Sequence, residues 1–324
     1  MFVLGQGKVC GRIFIGLPFE SAIFRRRPSL SLLNLATDIR MARKSDLWAL
    51  HWLRALAGWN QSLRFWMLVI DSSSAEVLVA SRGSTIVGSA MLWCYGGKLD
   101  WLGMVIVHPA FRGRGIGRQL LERCLERSRN RGVKSIGLDA TDAGRPLYRS
   151  LGFQEGERLD RWQVQDPLLV DGPASGLIQA PQPGMGAMGH RVWESGFDLQ
   201  SFGVDREILC RGLLKDTIAS VVLEDRGDKV KGFGLLRHGA RSSYLGPLVA
   251  ESKQAGESMG CELLSHARGR SVLWDVPRAN LTARACAERW GFRVQRSFVR
   301  MWKGVRVEPS RADRIWGIAD PALG

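Results

Sequence analysis

The same short ending occurs twice in this chain. Leu151-Gly152-Phe153 and, about 140 residues later, Trp290-Gly291-Phe292 each close a helical stretch and open a strand. Similar patterns precede both. In the first half, runs at 76–81, 85–95 and 99–107 are β-like, and Arg82-Gly83 and Gly96-Gly97 supply the turns of an antiparallel meander. A helix over 115–129 then places Ile116, Leu120, Leu121, Cys124 and Leu125 on one face, followed by a strand at 135–138, a helix at 143–150 and a last strand running towards Trp162. The second half repeats this with strands at 218–224, 231–237 and 243–249, a helix at 257–267, a strand at 272–274 and a helix at 280–289. An internal duplication of this kind predicts two copies of one α/β unit, each built on a mixed sheet.

The length, 324 residues, suits two domains. Residues 1–38 are expected to be a poorly ordered extension. Glu20 is their only acid before Asp38, and with Arg25, Arg26 and Arg27 they also have the composition of a transit peptide. The first domain spans 39–167, with Asp38 or Ser45 capping a helix over 46–57 that Gly58 ends. Gly, Pro, Ala and Gln fill much of 168–190, which is a linker; the second domain follows at 191–306, with a tail at 307–324.

A net charge of +15 attracts anions. Most arginine bursts suit solvated helix faces, and no zinc spacing, RNA-binding aromatic signature or helix-turn-helix accompanies them, so no nucleic-acid partner is expected. The cysteines are scattered without a C-x-x-C pair, which points to reduced thiols and a cytoplasmic protein. No apolar run reaches membrane-spanning length, no metal site is expected, and the oligomeric state is expected to be monomer or homodimer.

Chemistry concentrates at residues 105–118. A strand ends at Pro109, and a turn carrying Gly113, Gly115 and Gly117 leads straight into the amphipathic helix. Glycines admit positive φ and close approach of a ligand, and N–H groups at a helix start form an anion site. Arg112, Arg114 and Arg118 add charge. A phosphate or pyrophosphate ligand is therefore predicted. The Lys of a Walker A loop is missing, and Gly113-x-Gly115-x-Gly117 does not have the spacing of the dinucleotide fingerprint.

Arg112-x-x-Gly115-x-Gly117, preceded by Val107-x-Pro109, resembles the R/Q-x-x-G-x-G/A motif of the GNAT acetyltransferases. The resemblance implies that Val105, Ile106 and Val107 line the pantetheine arm of acetyl-CoA through a strand splayed from its neighbour. It further implies that Arg112, Gly113, Arg114, Gly115, Ile116, Gly117 and Arg118 hold the pyrophosphate. Leu147-Tyr148-Arg149-Ser150-Leu151-Gly152-Phe153 is similar to the closing segment of that domain, which makes Tyr148 the candidate general acid; Thr141 stands where the family often has Asn. For the base, Asp139 and Asp100 are candidates, while His108 beside its Pro turn suits a structural role.

Ala57-Gly58-Trp59-Asn60-Gln61, Leu138-Asp139-Ala140-Thr141 and Phe202-Gly203-Val204-Asp205-Arg206 resemble the YitH-type tandem GNAT proteins, whose second GNAT-like domain is reduced. Consistent with that, Ala287 stands where the first half has Tyr148, and 250–260 lacks the arginine-glycine spacing. Trp59, Asn60 and Arg206 are the candidates for the acceptor pocket. The expected function is acetyl transfer from acetyl-CoA to a primary amine of a small molecule or peptide. A non-catalytic acyl-CoA sensor or interaction module is the alternative.

Overall fold

In the computed structural model, residues 35–167, 178–179 and 192–324 are described. The first half runs β1 (Asp38–Met41), α1 (Leu47–Leu56), α2 (Leu63–Asp71), β2 (Ala75–Arg82), β3 (Thr85–Tyr95), β4 (Leu99–Val107), α3 (Ile116–Asn130), β5 (Ser135–Ala140), α4 (Arg145–Ser150) and β6 (Gln154–Val164). Largely apolar runs, buried along most of their length and joined by glycine turns, make β2, β3 and β4 the expected meander. On α3, Ile116, Leu120, Leu121, Cys124 and Leu125 are buried against that sheet, as their spacing predicts. Asp38 caps no helix; it opens β1, which pairs with β2. Helix α2 was not anticipated. Ser62 caps it by accepting from the Phe65 N–H at 3.1 Å, and Phe65, Trp66 and Val69 are buried.

The second half runs β7 (Ile178–Gln179), α5 (Phe197–Phe202), α6 (Glu207–Leu214), β8 (Thr217–Glu224), β9 (Val230–Arg237), β10 (Ser243–Ala250), α7 (Lys253–Ser265), β11 (Val272–Pro277), α8 (Leu281–Arg289), β12 (Arg293–Gly304) and β13 (Ile315–Gly317). The extension before residue 35 and nearly all of the expected linker lie outside the described residues; Ile178–Gln179 pairs with β8.

The halves are not separate in space. The sheet order is β1-β2-β3-β4-β5-β12-β6-β11-β10-β9-β8-β7. Thus β12, the closing strand of the second half, lies on β5 of the first, and β6, the closing strand of the first, lies on β11 of the second. The two exchanged strands pair with each other in the middle. Boundaries at 167 and 191 therefore divide the sequence but not the fold. The largest apolar cluster also draws on both halves, from Leu50 and Trp66 to Phe233 and Val249.

Exchange produces two equivalent buried ion pairs. Arg161 on β6 holds Asp275 on β11 through two bonds of 2.8 and 2.5 Å, and Arg300 on β12 holds Asp139 on β5 through two of 2.9 Å. The arginines stand equally far behind Gly152 and Gly291. Each pair therefore ties the closing strand of one half to a strand of the other. Removing one partner of such a pair leaves a buried charge alone, at a cost of about 3–5 kcal/mol.

Residues 307–324 are no tail. After β13 pairs with β10, the Ile318 N–H donates to the Asp275 carbonyl at 3.1 Å. The chain then crosses to the first half. Trp101 Nε1 donates to the Pro321 carbonyl at 3.0 Å, the Tyr95 hydroxyl to the Leu323 carbonyl at 2.5 Å, and Gln61 Nε2 to Asp320 at 2.8 Å. Leu323 is fully buried. The polar run 306–314 disguised this apolar ending.

Candidate active site

The site starts from a defect in the meander. The β3–β4 register jumps between Ser89↔Ile106 and Met91↔Gly103, leaving Met104 and Val105 in a bulge. Met104 takes φ +51°, and the buried Ser89 hydroxyl ties down its carbonyl at 2.9 Å. The bulge bends β4 away from β5. The two pair in parallel only at Asp100↔Ile136 and Trp101↔Gly137. Beyond that point no strand among the described residues pairs with the β5-facing edge of β4, where Val105, Ile106 and Val107 lie. Such an edge needs hydrogen-bonding partners.

At the end of β4 the glycine loop turns into α3. Gly113 and Gly115 adopt φ of +74° and +77°, a region that disfavours side chains. Gly115 is the N-cap residue, and the helical ladder begins when the Gln119 N–H donates to its carbonyl. The N–H groups of Ile116, Gly117 and Arg118 precede that ladder, and the helix dipole adds positive potential there. Arg112 Nε donates to the Val107 carbonyl at 3.1 Å, Arg118 reaches Ser150 Oγ at 2.7 Å, and Arg114 is exposed. Gly117 differs from the other two glycines. A Cβ there would meet Leu147 and Val107 only at ordinary contact distances, 3.5 and 3.6 Å. The fold itself does not demand that glycine; a close-lying ligand would. An unpaired strand edge, an open loop and a basic helix start fit an elongated pyrophosphate-bearing ligand such as acetyl-CoA.

Between β4 and β5 lies a narrow cavity of about 50 Å³ lined by Trp59, Gln61, Met104, Val105, Asp139, Thr141, Tyr148, Arg161 and Arg296, with Pro321 and Ala322 of the C-terminal segment as one wall. Sequence-predicted Val105, Tyr148, Asp139 and Trp59 thus converge. The Tyr148 ring sits edge-on to Phe153, 6.0 Å between centroids, and burial raises its pKa, so the phenol keeps its proton at neutral pH. Burial likewise raises Asp139, against the pull of Arg300. Its side chain is fully buried in the bidentate pair, which the sequence did not reveal.

Other candidates are placed elsewhere. Asn60 spends its carboxamide on the second half, donating to the Ser242 carbonyl at 2.8 Å and accepting from the Arg241 and Ser242 N–H groups at 3.0 Å. It lines a different groove of about 790 Å³ between α2 and α6, which has Gln61 in common with the cavity. Arg206 lines neither space. It is buried against Asp198, at 2.5 and 3.0 Å, with its guanidinium over Phe202. Asp100 is buried on Arg131 at 2.6 Å and lines neither space. His108 stacks on Trp52 and accepts from the Ala110 N–H at 3.2 Å, a turn-forming role.

The second half repeats the splay. β10 and β11 pair at Ser243↔Val272, Tyr244↔Leu273 and Leu245↔Trp274, then part after a register shift against β9. Here the chain's own β13 enters the opening, pairing with Leu248 and Val249 of β10. Trp316 packs on α7 so closely that a Cβ on Gly256 would run into its ring. The start of α7 is capped by Ser252 Oγ, which accepts from the Ala255 N–H at 3.2 Å. Ala287 is buried where the first half has Tyr148.

Known proteins share this architecture. Residues 73–155 and 195–317 each match a family described as an acetyltransferase (GNAT) domain. The chain is 23% identical over 195 residues to the uncharacterized N-acetyltransferase YitH of Bacillus subtilis, covering 59% of this chain and 66% of that one. It is 37% identical over 79 residues to glucosamine 6-phosphate N-acetyltransferase of Trypanosoma brucei brucei, covering 22% and 54%. The matches thus span about half to two thirds of those relatives. An acetyltransferase candidate from Pyrococcus horikoshii superposes with a TM-score of 0.73 at 21% identity, covering 94% of this chain and 99% of its own. A tandem GNAT protein from the clavulanic acid biosynthesis pathway does so with 0.62 at 14%, covering 83% and 98%. With one GNAT domain matched in each half and the tandem arrangement visible in the fold, the chain belongs to the GNAT acetyltransferase family as a tandem protein of two such domains.

Proposed function

We propose that the chain transfers an acetyl group from acetyl-CoA to a primary amine of a small molecule or peptide, at one site per molecule, in the first half. The observation that carries this reading is the open β4 edge leading into the glycine-arginine loop, with Tyr148 and Asp139 lining the cavity beside it. Val105, Ile106 and Val107 would pair with the pantetheine arm, and Arg112, Gly113, Arg114, Gly115, Ile116, Gly117 and Arg118 would cradle the pyrophosphate. Backbone N–H groups of β4 would polarise the thioester carbonyl.

The neutral amine attacks that carbonyl directly; a C–N bond forms and the C–S bond breaks. Tyr148 gives its proton to the departing sulfur. An exposed thiol has a pKa of about 8.5, but burial pushes the Cys94 thiol up to about 12, and a thiolate leaving into the cleft gains proton affinity in the same way. The proton shed by the amine passes to Asp139, directly or through water, its affinity raised by burial and moderated by Arg300. Among the described residues the second half has no comparable loop and its cleft holds β13, so it serves to shape the first site through Arg296, Arg300 and the C-terminal wall.

Free-thiol release from acetyl-CoA over a panel of amines tests this. Gly115→Val, which adds a branched side chain at positive φ in the loop, should abolish acetyl-CoA binding by calorimetry; unchanged binding would misplace the site. Binding without release on any amine would support the sensor alternative.

A further inference from the structure

The charges lining the cavity between β4 and β5 do not cancel. Asp139 is matched by Arg300, and Arg161 by Asp275. Tyr148 is neutral while burial holds its proton. What is left is Arg296. It stands directly opposite Arg161 across the β6–β12 ladder, just past the bulge at Gln295, and has no hydrogen-bond or ion-pair partner among the described residues. Like charges placed opposite one another weaken a sheet, so Arg296 does nothing there for the ladder. Arg296 is exposed as a residue while it lines the same cavity.

Gln61 presents the second unmet group. It is 7% exposed, its Nε2 donates to Asp320, and its Oε1 is buried without a hydrogen-bond partner. A buried acceptor left alone is costly, and one lining a cavity is readily met by a ligand N–H. Gln61 and Arg296 come from opposite halves, Gln61 from the α1–α2 loop and Arg296 from the exchanged strand β12.

We infer that Arg296 and Gln61 form the acceptor subsite, and that the acceptor is a small primary amine bearing a carboxylate or phosphate. The guanidinium holds the anion, and Gln61 Oε1 accepts from the amine N–H and turns its lone pair towards the thioester. This rests on the acetyl-transfer reading given above. The chemistry explains why a strand of the second half is needed at the site: it delivers the positive charge.

The test uses the full chain, acetyl-CoA and matched amine pairs with and without the anion. L-leucine against isopentylamine probes the carboxylate, and glucosamine 6-phosphate against glucosamine probes the phosphate. A charge-assisted contact should favour the anionic member of at least one pair by about tenfold to hundredfold in kcat/KM. Arg296→Gln should collapse that ratio towards one, through KM, and Arg296→Lys should restore part of it. Equal use of both members by the native protein, or a ratio that survives Arg296→Gln, would overturn the subsite while leaving acetyl transfer standing. If no amine is acetylated, the transfer reading fails. The subsite is then decided by calorimetric titration of the same probes into the full chain and its Arg296→Gln variant: Arg296-dependent preference for the anionic member sustains it, and equal binding of both members sinks it.

Discussion

The two halves open the same cleft and fill it differently. β4 parts from β5 at a bulge and leaves an edge that no described strand covers, whereas β10 parts from β11 in the same manner and receives β13 from its own chain. The first cleft ends in a glycine-arginine loop with positive φ at two glycines; the second ends in a serine-capped helix pressed against Trp316. A splayed strand pair is thus a property of the fold, while availability to a ligand depends on what the rest of the chain supplies. An unpaired strand edge is satisfied either by a bound molecule or by a covalently attached strand.

The sharpest way to break this comparison uses the equivalent ion pairs. Asp139→Ala and Asp275→Ala each leave a buried arginine unmatched and should each cost about 3–5 kcal/mol in denaturant unfolding. The first should lower amine acetylation by far the more in protein that remains folded, because Asp139 itself lines the cavity whereas Asp275 acts there only through Arg161. Equal losses of activity would mean that the halves are not functionally distinct. Next, Trp316→Ala should remove about 3 kcal/mol of packing and hollow out the second cleft, yet calorimetry should still count one acetyl-CoA per chain. A count of two would show that β13 alone keeps the second cleft shut.

Tyr148→Phe should lower kcat by about a hundredfold, within the range of general acid catalysis, with acetyl-CoA affinity little altered; Ala287→Tyr should restore nothing. Because burial raises the phenol's pKa, its protonated, active form should persist as pH rises through the ordinary tyrosine value of about 10. A Tyr148-dependent fall in kcat below that pH contradicts the assignment. The smallest effect is expected at Gly117→Ala. With ordinary contacts around the added Cβ, melting should barely move, while lost amide contacts should weaken acetyl-CoA binding by roughly fivefold to tenfold. A wild-type affinity would remove the ligand from that helix start.

How much of this the sequence carried depended on range. The duplication, the meanders and the amphipathic α3 follow from local periodicity, and the loop announces itself through glycines and arginines within a few residues of each other. Strand exchange does not. β6 and β12 have similar alternating patterns, and nothing local states which neighbour each will choose. Asp139 looked like a free base at a strand end because its partner, Arg300, lies in the other half. Asn60 looked available for the same reason, since Ser242 lies in the second half, whereas Arg206 is met by Asp198, only eight residues before it, through a turn that no periodicity announces. At the C-terminus the signal was present but short: Ile315, Trp316 and Ile318 are apolar, but three residues of strand behind a charged run carry too little periodicity to register.

The reciprocal pairs Arg161–Asp275 and Arg300–Asp139 have a further meaning. A contact from one unit to another that is answered by the same contact in reverse is the mark of a two-fold interface. Here that symmetry is drawn inside a single polypeptide, so the molecule is organised as a fused dimer. Fusion fixes the ratio of the two units at one to one and frees them to diverge. One can keep an open cleft while the other lends it strands, charges and a terminal segment.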